Sequence, residues 1–426
     1  DTAGPQEQCV EEPQRSSRLS CGICGETFTS RNKLFVHLEL SGHHQQSVAA
    51  EASADDAARQ GFQRENADLH AYYLLQDIAG SESGWEANYS RFQENLPICF
   101  RLTLRTAALS APCAAAVTEM FLRRSRVSFG PAAYYSAAGG EAAGQGQGAP
   151  GCSLWSLAAS AGGASSGLEA AQDLGLLQRQ EQNSVLPPLV LDVQAHHSVL
   201  DLCAAPGSKT LQLLDHMLAS AEPGTLPRGL LVANDTSRER AALLAKRARR
   251  QLRSCLLVTC SDARFYPTVR RRGGFKLRFD RVLCDVPCSG DGTLRKDKSM
   301  RGGRRSLWSV WSVKTALSLH STQLRCLQRG LQLLGPGGRL LYSTCSLNPL
   351  EDEAVVGAVL DTYRQQGQLG DCPVRLLPLP EIPGFTCAPG LTSWKVPDRN
   401  FSAQDPIFYT TIDEARSARG EGKVHA

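Results

Sequence analysis

Two cysteines sit at the ends of what read as neighbouring buried strands: Cys288 in LCDVPCSGDGT (Leu283–Thr293) and Cys345 in LYSTCSLNP (Leu341–Pro349). Upstream of both is a strand-to-helix turn, DLCAAPGSKT, at Asp201–Thr210. A thiolate is a strong nucleophile towards an electron-poor ring. Sulfur added at C6 of cytosine loads electron density onto C5, which is otherwise too poor a nucleophile to take a methyl group. A second thiol can then assist release. The chemistry alone leaves open which cysteine attacks, and a lone cysteine at either place is more often a small buried hydrophobe.

The turn uses Pro206 and Gly207 to bend sharply and opens a helix near Ser208, whose free N–H groups can meet a ligand. It is neither the phosphate loop of an ATPase nor a full dinucleotide-binding G-x-G-x-x-G. A turn with a single glycine suits a ligand without pyrophosphate, and S-adenosylmethionine is such a ligand. Asp235, in VANDTSRER, stands one strand further on, where a carboxylate can accept ribose hydroxyls. Asp262, in TCSDARFYP, stands one strand beyond that, placed for the adenine edge. For each aspartate alone, a helix N-cap is the commoner role. Asp285 ends the strand before Pro287 and is positioned to hydrogen-bond the amino group and a ring nitrogen of cytosine; a satisfied strand-end carboxylate is the competing reading.

These residues need a frame that places strand ends side by side. Strands are predicted at Ser198–Leu202, Gly229–Ala233, Leu256–Thr259, Asp280–Asp285 and Gly338–Ser343, with helices such as Lys209–Ala219 and Gln323–Leu334 between them. That alternation implies an α/β fold, a doubly wound Rossmann-like sheet, with ligands at the carboxyl ends of its strands. Ahead of it, 1–17 reads as a disordered tail, 18–46 as a finger, 62–131 as a small N-terminal α/β subdomain, and 132–171 as a flexible Ala/Gly-rich insertion with Trp155 its anchor. Residues 172–426 form the catalytic domain.

The finger, CGICGETFTSRNKLFVHLELSGHH, has the spacing C-x2-C-x12-H-x5-H over Cys21, Cys24, His37 and His43, with His44 the alternative last ligand. Two thiolates and two imidazoles at that spacing suit tetrahedral Zn(II). One finger covers too little for sequence-specific DNA reading and fits an RNA or protein contact.

Composition sets the outer bounds. Of 426 residues, 42% are hydrophobic and 6% aromatic, and the formal charge is only +4, so no case for nucleic acid rests on the total. Local charge is uneven, with seven Arg or Lys against one acid between Arg238 and Arg253. Such a run is commonly a solvated helix face. Fifteen scattered cysteines, with no hydrophobic leader before them, argue against a secreted disulfide framework. No apolar run approaches the ~18 residues of a membrane helix.

Taken together, SVLPPLVLDVQAHHSVLD, CAAPGSK, FDRVLCDVPCSGDGT and GGRLLYSTCSLNPLEDE resemble the RNA cytosine-5 methyltransferases of the Nop/Sun-domain (Fmu-like) family, from about Arg64 to the C-terminus. The resemblance implies Cys345 as nucleophile and Cys288 as the release cysteine, the reverse of DNA cytosine-5 enzymes. It also implies cofactor contacts from Cys203, Ala204, Ala205, Pro206, Gly207, Ser208, Lys209, Asp235, Asp262 and Asp285, the last also contacting the base. GDGTLRK, WSVW, SLHSTQLR and PGLTSWKV are similar to the eukaryotic multisite tRNA branch. That implies tRNA or another structured RNA as partner, a monomer, and a nuclear or nucleolar location extending to the cytoplasm. The finger and KSMRGGRRS (Lys298–Ser306) depart from the branch. So does the end at Ala426, ahead of a Phe-Pro-Pro segment and closing strands, which is read as a truncated catalytic domain. The reading from another class is an RNA-binding protein that keeps the cofactor pocket without turnover; a DNA methyltransferase would use Cys288 to attack.

Overall fold

The structure, a computed structural model, describes residues 64–103, 172–365 and 374–409, less a few positions within each, together with 19–20, 24, 26–28, 37, 129–131, 154–157, 414 and 417. Two compact units are present: 65–297 with 307–426, and 1–64 with 298–306. In the second, strand β1 (Leu19–Ser20) pairs antiparallel with β2 (Thr27–Phe28). The tail at 1–17, Cys21, His43, His44, the basic stretch at 298–305 and most of 132–171 lie outside the described residues.

The larger unit begins with helices α1 (Ala67–Gln76) and α2 (Glu82–Gln93). Each has a polar N-cap: the Asn66 side chain accepts from Leu69 N, and Ser81 from Gly84 N. Strands β3 (Ile98–Leu102), β4 (Phe129–Pro131), β5 (Leu154–Leu157) and β6 (Leu177–Arg179) form an antiparallel sheet in the order β4-β5-β3-β6. β5 falls inside the segment read from composition as a flexible insertion. Its LWSL sequence carries the bulky residues its Ala/Gly-rich surroundings lack, and it pairs along β3 from Ile98↔Leu157 to Arg101↔Leu154.

After a short helix α3 (Leu186–Val190), the predicted alternation appears: β7 (Ser198–Asp201), α4 (Ser208–Ala219), β8 (Leu230–Asn234), α5 (Arg238–Ala248), β9 (Leu256–Thr259) and β10 (Phe279–Asp285). Then come α6 (Leu307–Val310), α7 (Val313–Leu333), β11 (Leu334–Ser343) and α8 (Glu353–Gln365). The five strands form a parallel sheet in the order β11-β10-β7-β8-β9. Alternate residues face opposite sides. Val199, Leu231 and Leu283 join Leu211, Leu214 and Met217 of α4 in one core cluster. Leu200, Val232, Val282 and Cys284 join Cys326 and Leu333 of α7 in the other. Burial on both faces is why these strands read as apolar runs without alternation.

Two boundaries differ from expectation. α7 starts at Val313, ten residues before the predicted Gln323, because its first turns bury Val313 and Ala316. β11 reaches back to Leu334 through a GPGG excursion; regular pairing with β10 runs from Arg339 to Ser343.

The N-terminal helices pack within the same compact unit as the sheet. Buried Tyr72, Tyr73 and Trp85 meet Trp311, Phe401 and one another at ring-centroid distances of 5.1 to 5.9 Å. Each such aromatic contact adds about 0.5–1.5 kcal/mol beyond area burial. A C-terminal hairpin, β12 (Val396–Pro397) with β13 (Phe408–Tyr409), stacks Phe408 on Tyr72. Among the described residues, no helix is long and apolar enough to cross a membrane.

Candidate active site

The strand order reverses direction between β7 and β10: from β7 the chain steps to β8 and β9, then returns to place β10 on the other side. A crevice opens at the carboxyl ends of such a pair. The turn after β7 forms one wall and the Asp285–Cys288 loop the other. Across the crevice Lys209 Nζ donates to Asp285 Oδ2 at 2.7 Å, while Ser343 Oγ donates to Asp285 Oδ1 at 2.8 Å.

Gly207 has φ +106 and serves as N-cap of α4 without a side-chain cap, which leaves the first-turn N–H groups without a capping side chain. The backbone conformation favours glycine, and a Cβ here would also displace the buried Leu244 side chain, whose Cδ1 would lie 2.3 Å away. Asp235 is buried behind the turn. Its Oδ2 accepts from Ala205 N at 3.1 Å and its Oδ1 from Ser237 N at 2.9 Å. Asp262 is the N-cap of a single 3-10 turn and is held by Arg264, Nη2 to Oδ2 2.6 Å. The hydrogen bonds from Arg264 lower its carboxyl below the usual range. The N-cap role that competed for Asp262 in the sequence is therefore present.

Two further polar residues underpin this wall and carry no motif of their own. Asn234 is fully buried; its Nδ2 donates to Leu202 O and Ser261 O, and its Oδ1 accepts from Ser261 N and Thr259 Oγ1, tying together the loops after β7, β8 and β9. Asp201, also buried, accepts from Thr210 Oγ1 at 2.7 Å through Oδ2, and among the described residues no side chain reaches its Oδ1. Burial, with Asp285 nearby, pushes its carboxyl up to about 7, against the Thr210 bond and Lys209.

The two cysteines meet because β10 and β11 are parallel neighbours in register, Asp285 opposite Ser343. Val286 N makes one more bond to Ser343 O, and Pro287, lacking an N–H, sends the chain out of the sheet. Cys288 Sγ lies 3.1 Å from Cys345 Sγ and 3.3 Å from Cys345 N; both thiols are free, and Cys345 is exposed. Hydrogen bonding with Cys288 lowers the Cys345 thiol below its ordinary value, opposed by desolvation and Asp285 and aided by Lys296 and Lys209. The same contact, together with burial, raises Cys288. The contact thus biases the pair towards negative charge on Cys345 and a proton on Cys288. Gly292 permits the loops to close: a Cβ there would lie 2.8 Å from Cys345 O.

Every predicted cofactor-side residue, Cys203 to Lys209 with Asp235, Asp262 and Asp285, falls at these strand ends. In the smaller unit only part of the predicted metal set is described. Cys24 Sγ lies 3.4 Å from His37 Nε2, and His37 Nδ1 lies 3.2 Å from Glu26 Oε2. The three residues offer ligand atoms within 4.8 Å of one another.

A family model described as 16S rRNA methyltransferase RsmB/F matches residues 188–375. The multisite-specific tRNA:(cytosine-C(5))-methyltransferase of Saccharomyces cerevisiae is 43% identical over 245 residues, 56% of this chain and 34% of that protein. The tRNA (cytosine(34)-C(5))-methyltransferase of Drosophila melanogaster is 35% identical over 367 residues, 82% of this chain and 46% of that protein. The chain therefore spans less than half the length of either relative. The crystal structure of PH0851 superposes with a TM-score of 0.53 at 22% identity, covering 68% of this chain and 56% of that one, which shows the Rossmann-like methyltransferase fold. With a thiol pair at the β10 and β11 ends and a single-glycine turn across the crevice, the region matched by that model is similar to the Nop/Sun family of RNA cytosine-5 methyltransferases, with eukaryotic tRNA cytosine-C(5)-methyltransferases among the similar proteins.

Proposed function

We propose that the chain transfers a methyl group to C5 of cytosine in RNA, with tRNA the substrate. The observation that carries this reading is the Cys288–Cys345 contact at 3.1 Å, set across a crevice from the Gly207 turn. S-adenosylmethionine supplies the methyl group as an electrophilic sulfonium when bound. The residues present fit it: buried Asp201 offers an acceptor oxygen that no side chain of the described residues fills, the uncapped start of α4 offers N–H groups, and Asp235 stands behind the turn as a ribose-side acceptor. Asp262 is the candidate for the adenine edge, its carboxylate kept ionised by Arg264.

In this reading Cys345 adds as thiolate to C6, forming the C6–S bond and pushing the ring electrons onto C5. Asp285, held by Lys209 and Ser343, is the candidate to accept from the amino group of the base and so orient the ring for attack. Once C5 carries the methyl group, its proton passes to solvent water and the C5–H electrons re-form the C5–C6 double bond. The C6–S electrons then return to Cys345, with Cys288 on the adjoining loop assisting release. The test is transfer of labelled methyl from S-adenosylmethionine to tRNA followed by bisulfite sequencing. Protected cytosines appearing only with the active chain are expected, and label on other atoms or on DNA alone would overturn the proposal.

For the N-terminal module the proposal is one Zn(II) held by Cys21, Cys24, His37 and His43. The approach of Cys24 to His37 Nε2 supports it, with Glu26 placed to hold Nδ1 in the tautomer a ligand needs. Metal analysis of the purified chain should give about one zinc per molecule, falling in Cys24→Ser. A metal-free chain at neutral pH would rule the site out.

A further inference from the structure

Two buried carboxylates lie beside the thiol pair with no part in the chemistry above. Asp291 is 1% exposed and Glu351 is fully buried. Burying a carboxylate is costly unless its acceptor positions are filled. Here they are filled by groups drawn from both cysteine loops. Glu351 follows Cys345 in the chain, yet its Oε1 accepts from Ser289 N at 2.8 Å and from Gln323 Nε2 at 2.9 Å. Its Oε2 accepts from Ser289 Oγ and, at 2.7 Å, from Ser346 Oγ. Asp291 follows Cys288, yet its Oδ1 accepts from Leu347 N at 2.8 Å, beside Gly292 N at 2.8 Å. Its Oδ2 accepts from Tyr73 Oη and from Trp311 Nε1. Each carboxylate sits on one cysteine loop and grips the residue next to, or two beyond, the cysteine of the other.

We infer that Asp291 and Glu351 are positioning residues, a reciprocal clamp that holds Cys288 Sγ against Cys345 Sγ and so sets the reactivity of the attacking thiol. The clamp acts through backbone placement, since neither group touches a thiol. It also gives helix α1 a stake in the site: Tyr73 reaches Asp291, and Tyr72 Oη donates to Asn348 Oδ1 at 2.8 Å in the Cys345 loop. The inference takes from the proposed function only that Cys345 is the reactive thiol. The titratable and charged groups that face Cys345 are Cys288 and Asp285 from the β10 end, Lys296 from the turn beyond Cys288, and Lys209 from α4.

The test follows alkylation of Cys345 by iodoacetamide against pH, with the modified peptide identified by mass spectrometry. Glu351→Gln keeps the shape but turns one acceptor into a donor facing Ser289 or Gln323, which loosens the clamp. The inflection for Cys345 is expected to rise by about one pH unit towards that of an ordinary thiol. Methyl transfer is expected to fall about 10²-fold in kcat with S-adenosylmethionine affinity unchanged. In a Cys288→Ala background the thiol contact is already gone, so Glu351→Gln should then move the inflection no further, a non-additivity that general loosening would not produce. Should Glu351→Gln fail to fold, Ser346→Ala removes only a hydroxyl shared by the clamp, and a smaller shift in the same direction is expected. An unchanged inflection in the folded variant, or a full shift persisting without Cys288, overturns the inference. Alkylation needs no RNA, so the result stands apart from whether the chain methylates tRNA.

Discussion

Cys345→Ala is expected to lower methyl transfer to tRNA by at least about 10³-fold, the scale seen when a covalent nucleophile is removed. A factor of 10³ corresponds to about 4 kcal/mol of transition-state stabilisation. Without sulfur at C6 nothing raises electron density at C5, and the groups alongside are poor replacements: Cys288 loses its Cys345 partner but keeps the burial that raises its thiol, and Asp285 is engaged by Lys209 and Ser343. The cofactor wall should be untouched, because the turn at Cys203–Lys209 is held by Asn234, Asp235 and α5, away from the β11 end. The measurement is single-turnover transfer of labelled methyl, paired with calorimetry of S-adenosylmethionine binding. Lost transfer with retained binding is the expected pair. Full activity in Cys345→Ala would remove this cysteine as nucleophile, and a wild-type chain that binds cofactor but never transfers would favour a binding protein.

The parts of this site legible in the sequence are those where chain order and spatial order coincide. Parallel strands buried on both faces leave apolar runs ending in turn residues, so β7 to β10 and their carboxyl ends could be located within a residue or two. Gly207 and Pro287 mark places where the backbone must depart from regular structure. The register of β10 on β11, with Asp285 opposite Ser343, then brings Cys288 to Cys345 without further assumption. What stayed hidden depends on cross-chain hydrogen bonding. Asn234 precedes a motif aspartate and reads as its neighbour, yet it bridges three loops. Asp291 and Glu351 lie in GDGT and NPLEDE, among acids that look solvated until the two loops are placed face to face. The early start of α7 was masked because Trp308 and Trp311, just ahead of it, pack on the aromatic residues of α2 and α1, so the apolar pattern there follows those contacts and not the helix that begins at Val313. β5 was masked by its surroundings: four strand-forming residues in a long Ala/Gly/Ser segment do not shift the composition of that segment.

Cys288→Ala is expected to behave in the opposite sense from Cys345→Ala, by accumulating a protein–RNA adduct in place of product. With Cys345 intact, attack at C6 and methylation at C5 proceed. The route out requires proton removal from C5 and cleavage of the C6–S bond, and the thiol 3.1 Å from Cys345 Sγ is the group placed to assist it. Deleting it removes the hydrogen-bond partner that stabilises the Cys345 thiolate, so attack should slow as well. The adduct nonetheless builds up, because proton removal and C6–S cleavage both lie downstream of attack and lose their assisting group entirely. Labelled tRNA should then run with the protein through denaturing electrophoresis, and the band should disappear in Cys288→Ala with Cys345→Ala. The single variants also decide direction of attack. If Cys288 were the nucleophile, Cys288→Ala would give no band and Cys345→Ala would give one. A Cys288→Ala chain that turns over at the wild-type rate without any adduct would mean that the second thiol neither sets the first nor assists release.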